Sequence, residues 1–590
     1  MFYPSSTEKR AGRLRRVWPV VALASVAFAT GAIVGAHHTA SAEESLASRF
    51  VRAWTQRDYA RMYLDLDASS QRSISAAEFA AAYQAALRTA TATSLQLAGK
   101  PQRLRGGAIA VPVRVGTRLF GTLTLSFHLK PAGEGGERAT LAWSRSEVFP
   151  GLRPGEQLGR RTELPRRAAL LARDGSVLAE GAVAGAGPRS SPLGAAASAV
   201  LGTLGPPPAA RRNALEEQGV PADAIVGSSG VERALDDRLR GTPGGQLLAG
   251  QRVLASSAAV AAPPVRTSVT PALQRAAVAA LGGQLGGIVV MQPATGQILA
   301  VAGIGLDSVQ PPGSTFKMVT VTGVLEARIA NLLSSFPDAT FATLEGVKLN
   351  NAGGEECGGT LEHAFAVSCN SVFAPLGAKL GAARLVATAE RFGFNHDPGI
   401  PGAAESTLPG AAQIQGELNL GSTAIGQGRV QASALEMAIV AATVADGGRR
   451  PQPTFLLGGQ PAVGVPAMSP QVARSVRHLM VEVVRNGTGT AAAVPGVLVA
   501  GKTGTAELKT ECSSSSSSES AEAGAQEANS SGCAGTASES SNTDAWFAAF
   551  APAQHPRIVV GVLLVKDGAG GATAAPVARE VLEAGLRSGG

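Results

Sequence analysis

The sequence predicts an α/β C-terminal domain with an all-α subdomain, preceded by a transmembrane helix, a small α+β domain and a mixed pedestal domain. Three observations predict it. A basic cluster is followed by an uncharged apolar run near the N-terminus. The hydrophobic period changes from helical to alternating within the next hundred residues. In the last block, strand-like segments stand at both ends with long Ala/Leu-rich helical segments between them. The chain has 590 residues, 45% hydrophobic and 16% charged, which suits two or three domains with sizeable cores and excludes a largely disordered chain. The net charge is +8, but the basic residues are dispersed and aromatics are only 4%, so no nucleic-acid partner is expected.

Residues 1–16 read as a cytoplasmic tail and 17–36 as a transmembrane signal-anchor. Lys9, Arg10, Arg13, Arg15 and Arg16 precede the run Val17 to Ala36. Twenty helical residues at ~1.5 Å each span the hydrocarbon thickness. The basic flank stays inside, so a single-pass protein with its remaining chain outside the cell membrane is expected. A cleaved signal peptide ending near Ala40-Ser41-Ala42 is the competing reading.

Residues 44–152 follow as the α+β unit. Leu46, Phe50, Ala53 and Trp54 recur at helical spacing, and Phe79 to Leu87 continues helical. Ala108 to Val115, Leu119 to Leu129 and Ala139 to Val148 then alternate as antiparallel strands. Residues 154–265 read as a pedestal, with a hairpin around Asp174-Gly175 and a Gly/Pro/Ala-rich loop or linker from Gly181 to Pro208. The last domain spans 267–587. It opens with a hairpin, Gly287 to Met291 and Gln297 to Ala302. Strands return at Val497 to Leu508, Ala545 to Phe550 and Ile558 to Val565, before a helix from Ala575. A serine-rich insert, 510–543, interrupts it with a composition that cannot bury a core.

Three short elements carry the chemistry. In Pro311-Pro312-Gly313-Ser314-Thr315-Phe316-Lys317, Ser314 opens a helix and Lys317 lies one turn above it. A buried neutral lysine can take the serine proton, and the helix N-terminus offers N–H groups to an oxyanion. Alone the pattern is weak: Ser6-Thr7-Glu8-Lys9 matches it in the charged tail, and a serine there can simply cap a helix. Ser368-Cys369-Asn370 follows a helix from Leu361 to Val367 and provides a relay hydroxyl and an amide-binding carboxamide. Lys502-Thr503-Gly504-Thr505 lies on a strand, where Gly504 admits substrate backbone and the lysine and threonines suit a carboxylate.

In this order and spacing the three elements resemble the penicillin-recognising serine enzymes. Ile425-Gly426-Gln427-Gly428, Asn486-Gly487-Thr488, Ala545-Trp546-Phe547 and Phe550-Ala551-Pro552 also resemble the penicillin-binding transpeptidase (serine β-lactamase-like) domain, over about Gly287 to Leu586. Residues 44–152, from Phe50-x-x-x-Trp54 to Trp143 and Phe149-Pro150-Gly151-Leu152, resemble a nuclear-transport-factor-two-like domain. The chain is thus similar to class B (monofunctional) penicillin-binding proteins.

The resemblance implies a serine-type peptidoglycan D,D-transpeptidase. Ser314 is acylated by a D-Ala-D-Ala stem peptide with release of D-Ala, and a neighbouring stem amine then forms the cross-link. Lys317 is the base, Ser368 and Lys502 relay protons, and Asn370 binds the peptide amide. Thr503, Gly504 and Thr505 hold the substrate end, and the backbone N–H groups of Ser314 and Thr505 form the oxyanion hole. β-Lactams acylate Ser314, no metal or cofactor is needed, and the partners are a polytopic glycan polymerase and other cell-wall synthesis proteins. The alternatives sharing these motifs are a β-lactamase, a D,D-carboxypeptidase and a non-catalytic scaffold or sensor. Outside the cell membrane, the four cysteines suit two local disulfides, Cys357–Cys369 and Cys512–Cys533; buried free thiols are the alternative.

Overall fold

The computed structural model describes residues 41–132, 139–181, 185, 187–458, 463–507 and 542–588. The anchor expected at 17–36 and the pair Cys512–Cys533 lie outside these residues. Among the described residues no single helix is long and apolar enough to cross a membrane.

The chain divides into two compact units. In the first, a capping box between Ser41 and Glu44 starts the helix Ala42–Thr55. Its helical stripe buries Leu46, Phe50, Ala53 and Trp54, as the spacing predicts. Trp54 meets Phe127 edge-on at 4.9 Å between ring centres. The strands Ile109–Thr117 and Thr122–Ala132 pair antiparallel behind it. The third expected strand is short, Thr140–Ala142. Glu147 accepts the Ser144 N–H at 2.7 Å and turns the chain into a 3-10 segment, which ends the strand.

The segment expected as one pedestal divides between the units. The strands Leu158–Glu163, Gly244–Ala249 and Arg252–Ser257 form one sheet, and Leu247 and Ala249 are buried in the same core as Phe50. The remainder belongs to the second unit. Its hairpin around Asp174-Gly175 forms as expected, with Gly175 at φ +88°. The expected loop from Gly181 to Pro208 contains a helix, Ala195–Leu201, because Ala197, Val200 and Leu201 find apolar burial. Below it, the buried carboxylates of Glu232 and Asp236 each meet Arg167, with Arg189 also on Glu232 and Arg240 on Asp236. Removing one partner from such a cluster strands a buried charge.

The second unit is built on a five-stranded antiparallel sheet. Its order is Ile298–Gly303, Gly286–Met291, Ile558–Leu564, Thr543–Ala551, Ala500–Glu507. The first two strands and the last three come from opposite ends of the domain, as the sequence implies. The helices Pro271–Leu281 and Ala574–Arg587 cover one face. On the other, the helix Ala434–Ala445 lies so close to the central strand that a Cβ at Gly561 would stand 2.3 Å from the Ala434 carbonyl oxygen. The helical subdomain, expected as all-α, also holds two strand pairs: Ser335–Ala339 with Cys357–Thr360, and Phe341–Leu344 with Val347–Asn350. Glu345 at φ +52° and Gly346 at φ +80° make a two-residue turn that closes the second pair.

One buried group gives the domain a pH-dependent stability. Glu436, on the helix Ala434–Ala445, is 2% exposed, and its Oε1 has no hydrogen-bond partner. Burial raises its pKa from 4.5 to about 8. Between those values the folded state holds a proton that the unfolded state has released, so stability falls as pH rises through that window. Glu436→Gln is expected to melt higher than the parent at pH 8, on the order of 5 °C, with the difference shrinking at pH 5. Calorimetry at the two pH values checks this; an equal gap at both excludes Glu436 as the titrating group.

Candidate active site

The Ser314 turn is seated on the sheet edge by glycines. Gly313 has φ +51°, and a Cβ there would lie 2.6 Å from the Thr505 carbonyl oxygen. A Cβ at Gly504 would lie 2.6 Å from the Pro312 oxygen. The turn and the Lys502 strand therefore touch backbone to backbone, which brings Ser314 beside Thr505, the two residues expected to line the oxyanion hole. Gly313 N–H donates to the Gly426 oxygen at 3.0 Å, so the Ile425–Gly428 segment braces the turn from behind. Residues Gly313–Phe316 form a 3-10 turn that runs into the helix Lys317–Glu326.

Lys317 is fully buried. Its Nζ donates to the Ser368 carbonyl oxygen at 2.6 Å and to Asn370 Oδ1 at 2.7 Å, and lies 3.4 Å from Ser368 Oγ. Burial drives its pKa well below the ordinary lysine value, and the charge of Lys502 adds to that. A neutral amine has two hydrogens. Both are taken by the Ser368 carbonyl and Asn370, so its lone pair is left to accept a proton from a hydroxyl. Ser314 Oγ makes no hydrogen bond among the described residues and is free to approach it.

Lys502 is equally buried, and burial lowers its pKa to about 7. Its Nζ donates to Ser368 Oγ at 2.9 Å and to the Thr503 oxygen at 3.1 Å. The Ser368 hydroxyl thus sits between two lysines whose burial favours the neutral form. Its backbone is left-handed, φ +64°, a strained state for serine that the lysine contacts help to hold.

Next to Lys502 on the strand, Thr503 Oγ1 shares a 2.5 Å hydrogen bond with Thr488 Oγ1. Thr505 Oγ1 accepts from the Gly570 N–H at 3.3 Å. The structure therefore gathers Ser314, Lys317, Ser368, Asn370, Lys502, Thr503, Gly504 and Thr505 in one place. Cys357 and Cys369 are joined by a disulfide. Sequence reasoning passed over Gly570 and the Asn350-Asn351 pair. Gly570 follows the last strand in a glycine-rich turn, the one signal that pointed to it. A Cβ there would stand 2.2 Å from the Gly504 oxygen.

Residues 286–583, half of the chain, match the penicillin-binding protein transpeptidase domain. The chain belongs to the penicillin-binding protein transpeptidases. In this penicillin-binding protein, residues 186–253 also match the penicillin-binding protein dimerisation domain, and residues 41–156 match the NTF2-like N-terminal transpeptidase domain. Its class B architecture follows from that N-terminal domain and from its relatives. The peptidoglycan D,D-transpeptidase PbpA of Mycolicibacterium smegmatis is 33% identical over 434 residues, 61% of this chain and 80% of that protein. The crystal structure of PBPA from Mycobacterium tuberculosis is 27% identical and superposes with a TM-score of 0.54, covering 71% of this chain and 99% of that one. The penicillin G acyl-enzyme complex of the same mycobacterial protein is 27% identical, with a TM-score of 0.53 over 71% of this chain and 99% of its own.

Proposed function

We propose that this penicillin-binding protein is a peptidoglycan D,D-transpeptidase in which Ser314 is the nucleophile and Lys317 its base. The observation that carries the assignment is the Ser368 hydroxyl, within reach of both Lys317 and Lys502. Ser314 Oγ attacks the carbonyl carbon of the penultimate D-Ala as its proton passes to Lys317 Nζ. The oxyanion is received by the N–H groups of Ser314 and Thr505. As the C–N bond breaks, the leaving D-Ala amine takes a proton relayed through Ser368, which exchanges with Lys317 and Lys502. An ester on Ser314 remains. The amine of a second stem attacks it, forms the new amide and returns the proton to Ser314.

Asn370 supports this reading of the substrate side. Its Oδ1 faces Lys317 while Nδ2 donates one hydrogen to the Asn350 oxygen at 2.9 Å, leaving a second for a peptide carbonyl. Thr503 and Thr505 receive the terminal carboxylate. The basic cluster and apolar run at residues 9–36 anchor the enzyme in the cell membrane with its catalytic domain outside, beside a polytopic glycan polymerase that supplies nascent strands.

The test uses the full chain in detergent, with a stem pentapeptide donor and an amine acceptor. Release of D-Ala with formation of the donor–acceptor amide is expected. D-Ala release with hydrolysis alone, at any acceptor concentration, would make the protein a carboxypeptidase.

A further inference from the structure

We propose that Asn351 is a positioning residue for acylation: its carboxamide clamps the turn bearing Ser368 and Asn370 against the two active-site lysines. The proposal rests on the roles assigned above to Ser314, Lys317, Ser368 and Asn370. Asn351 directly follows the strand Val347–Asn350 and is 5% exposed. Its Nδ2 donates to the Ala339 oxygen at 2.7 Å and to the Glu355 oxygen at 2.9 Å, which uses both amide hydrogens. Its Oδ1 accepts the Ser371 N–H at 2.8 Å. One side chain therefore ties together a strand end, a surface loop and the first turn of the helix Asn370–Leu380.

The contact with Ser371 fills a gap. N–H groups in the first turn of a helix have no partner within it, and the residue just before the helix commonly caps them with a side-chain oxygen. Here that residue is Cys369, whose sulfur is joined to Cys357 and which makes no capping hydrogen bond. Asn351 delivers the missing acceptor from outside the helix.

The adjoining backbone then sets the orientation of Asn370. The Asn350 oxygen accepts Asn370 Nδ2 at 2.9 Å, which leaves Oδ1 turned to Lys317 Nζ at 2.7 Å. Without the clamp, the Asn370 carboxamide can rotate and present N–H groups to Lys317, and the lysine loses one of its two acceptors. Asn351 itself touches no reacting atom; its loss acts through Asn370, mainly on the chemical step and to a smaller degree on the amide contact that Asn370 makes to substrate.

The experiment measures saturation kinetics of acylation of the full chain by a fluorescent penicillin, separating the acylation constant k2 from the dissociation constant Ks. Asn351→Ala removes all three hydrogen bonds. Asn351→Asp keeps the acceptor for Ser371 and removes the two donations. We expect k2 to fall about 10-fold or more in Asn351→Ala, Ks to rise by a clearly smaller factor, and Asn351→Asp to recover part of the loss. Melting temperature and the final acylated fraction report folding separately. A folded Asn351→Ala with parental k2, or a defect confined to the acylated fraction, overturns the proposal. Should the alanine variant not fold, Asn351→Asp decides: parental k2 in that variant overturns it as well. A parent protein that takes up no penicillin contradicts the Ser314 assignment instead, and so is told apart from failure of the clamp.

Discussion

Ser314→Ala is expected to lower acylation by penicillin by more than about 10⁴-fold, to the level of adventitious labelling. The site offers no substitute nucleophile. The hydroxyls of Ser368, Thr503 and Thr488 are held in hydrogen bonds to Lys502 and to one another, whereas Ser314 Oγ has no partner among the described residues. Folding should be untouched, because Ser314 makes no side-chain hydrogen bond among the described residues and the turn is fixed by Gly313, Gly426 and Gly504. Gel fluorescence after labelling, with a melting curve on the same sample, checks both halves. Labelling of the alanine variant at the parental rate would place the nucleophile elsewhere.

Lys317→Met is expected to slow acylation about 10³-fold, roughly 4 kcal/mol of barrier, while keeping the fold. Methionine fills the buried stem volume beside Phe373, whose ring centre is 5.5 Å from Nζ. It leaves the Ser368 oxygen and Asn370 Oδ1 without their donor, at a cost of about 1–3 kcal/mol, offset in part by no longer burying an amine. The pH dependence has a defined sign. Because the folded-state pKa of Lys317 is lowered, acylation by the parent falls as pH is lowered and the amine takes a proton. Stability moves the same way: between the lowered folded-state pKa and the ordinary lysine value of 10.5 the unfolded state holds a proton that the folded state lacks, so stability rises with pH through that window. Lys317→Met should lose the acid limb in residual acylation and flatten the stability slope. Stopped-flow acylation and melting across pH measure the two.

The chemistry was legible because it sits in short, local patterns. Ser314 and Lys317 lie in one short segment, and Lys502 to Thr505 lie on a strand whose partner, Thr543–Ala551, is a continuous apolar run from Ala545. The order of motifs added what no one motif carried, since Ser6 to Lys9 has the same spacing as Ser314 to Lys317. Non-local features were not legible. The strand Leu158–Glu163 pairs with Gly244–Ala249 some eighty residues on, so a continuous pedestal was the simplest reading of that stretch. The Glu345-Gly346 hairpin is too short to show alternation within a helical background, and with it Asn351 went unread. The positive φ of Ser368 comes from tertiary contacts with two lysines, which local propensity does not encode.

Mass analysis of the full chain with penicillin G, intact over hours and then as proteolytic peptides, tests Ser314 as the nucleophile. One stoichiometric adduct is expected, stable for hours and mapped to the peptide containing Ser314. An adduct lost within seconds with turnover of the drug would make this a β-lactamase, and an adduct on any other residue would contradict the assignment of the nucleophile.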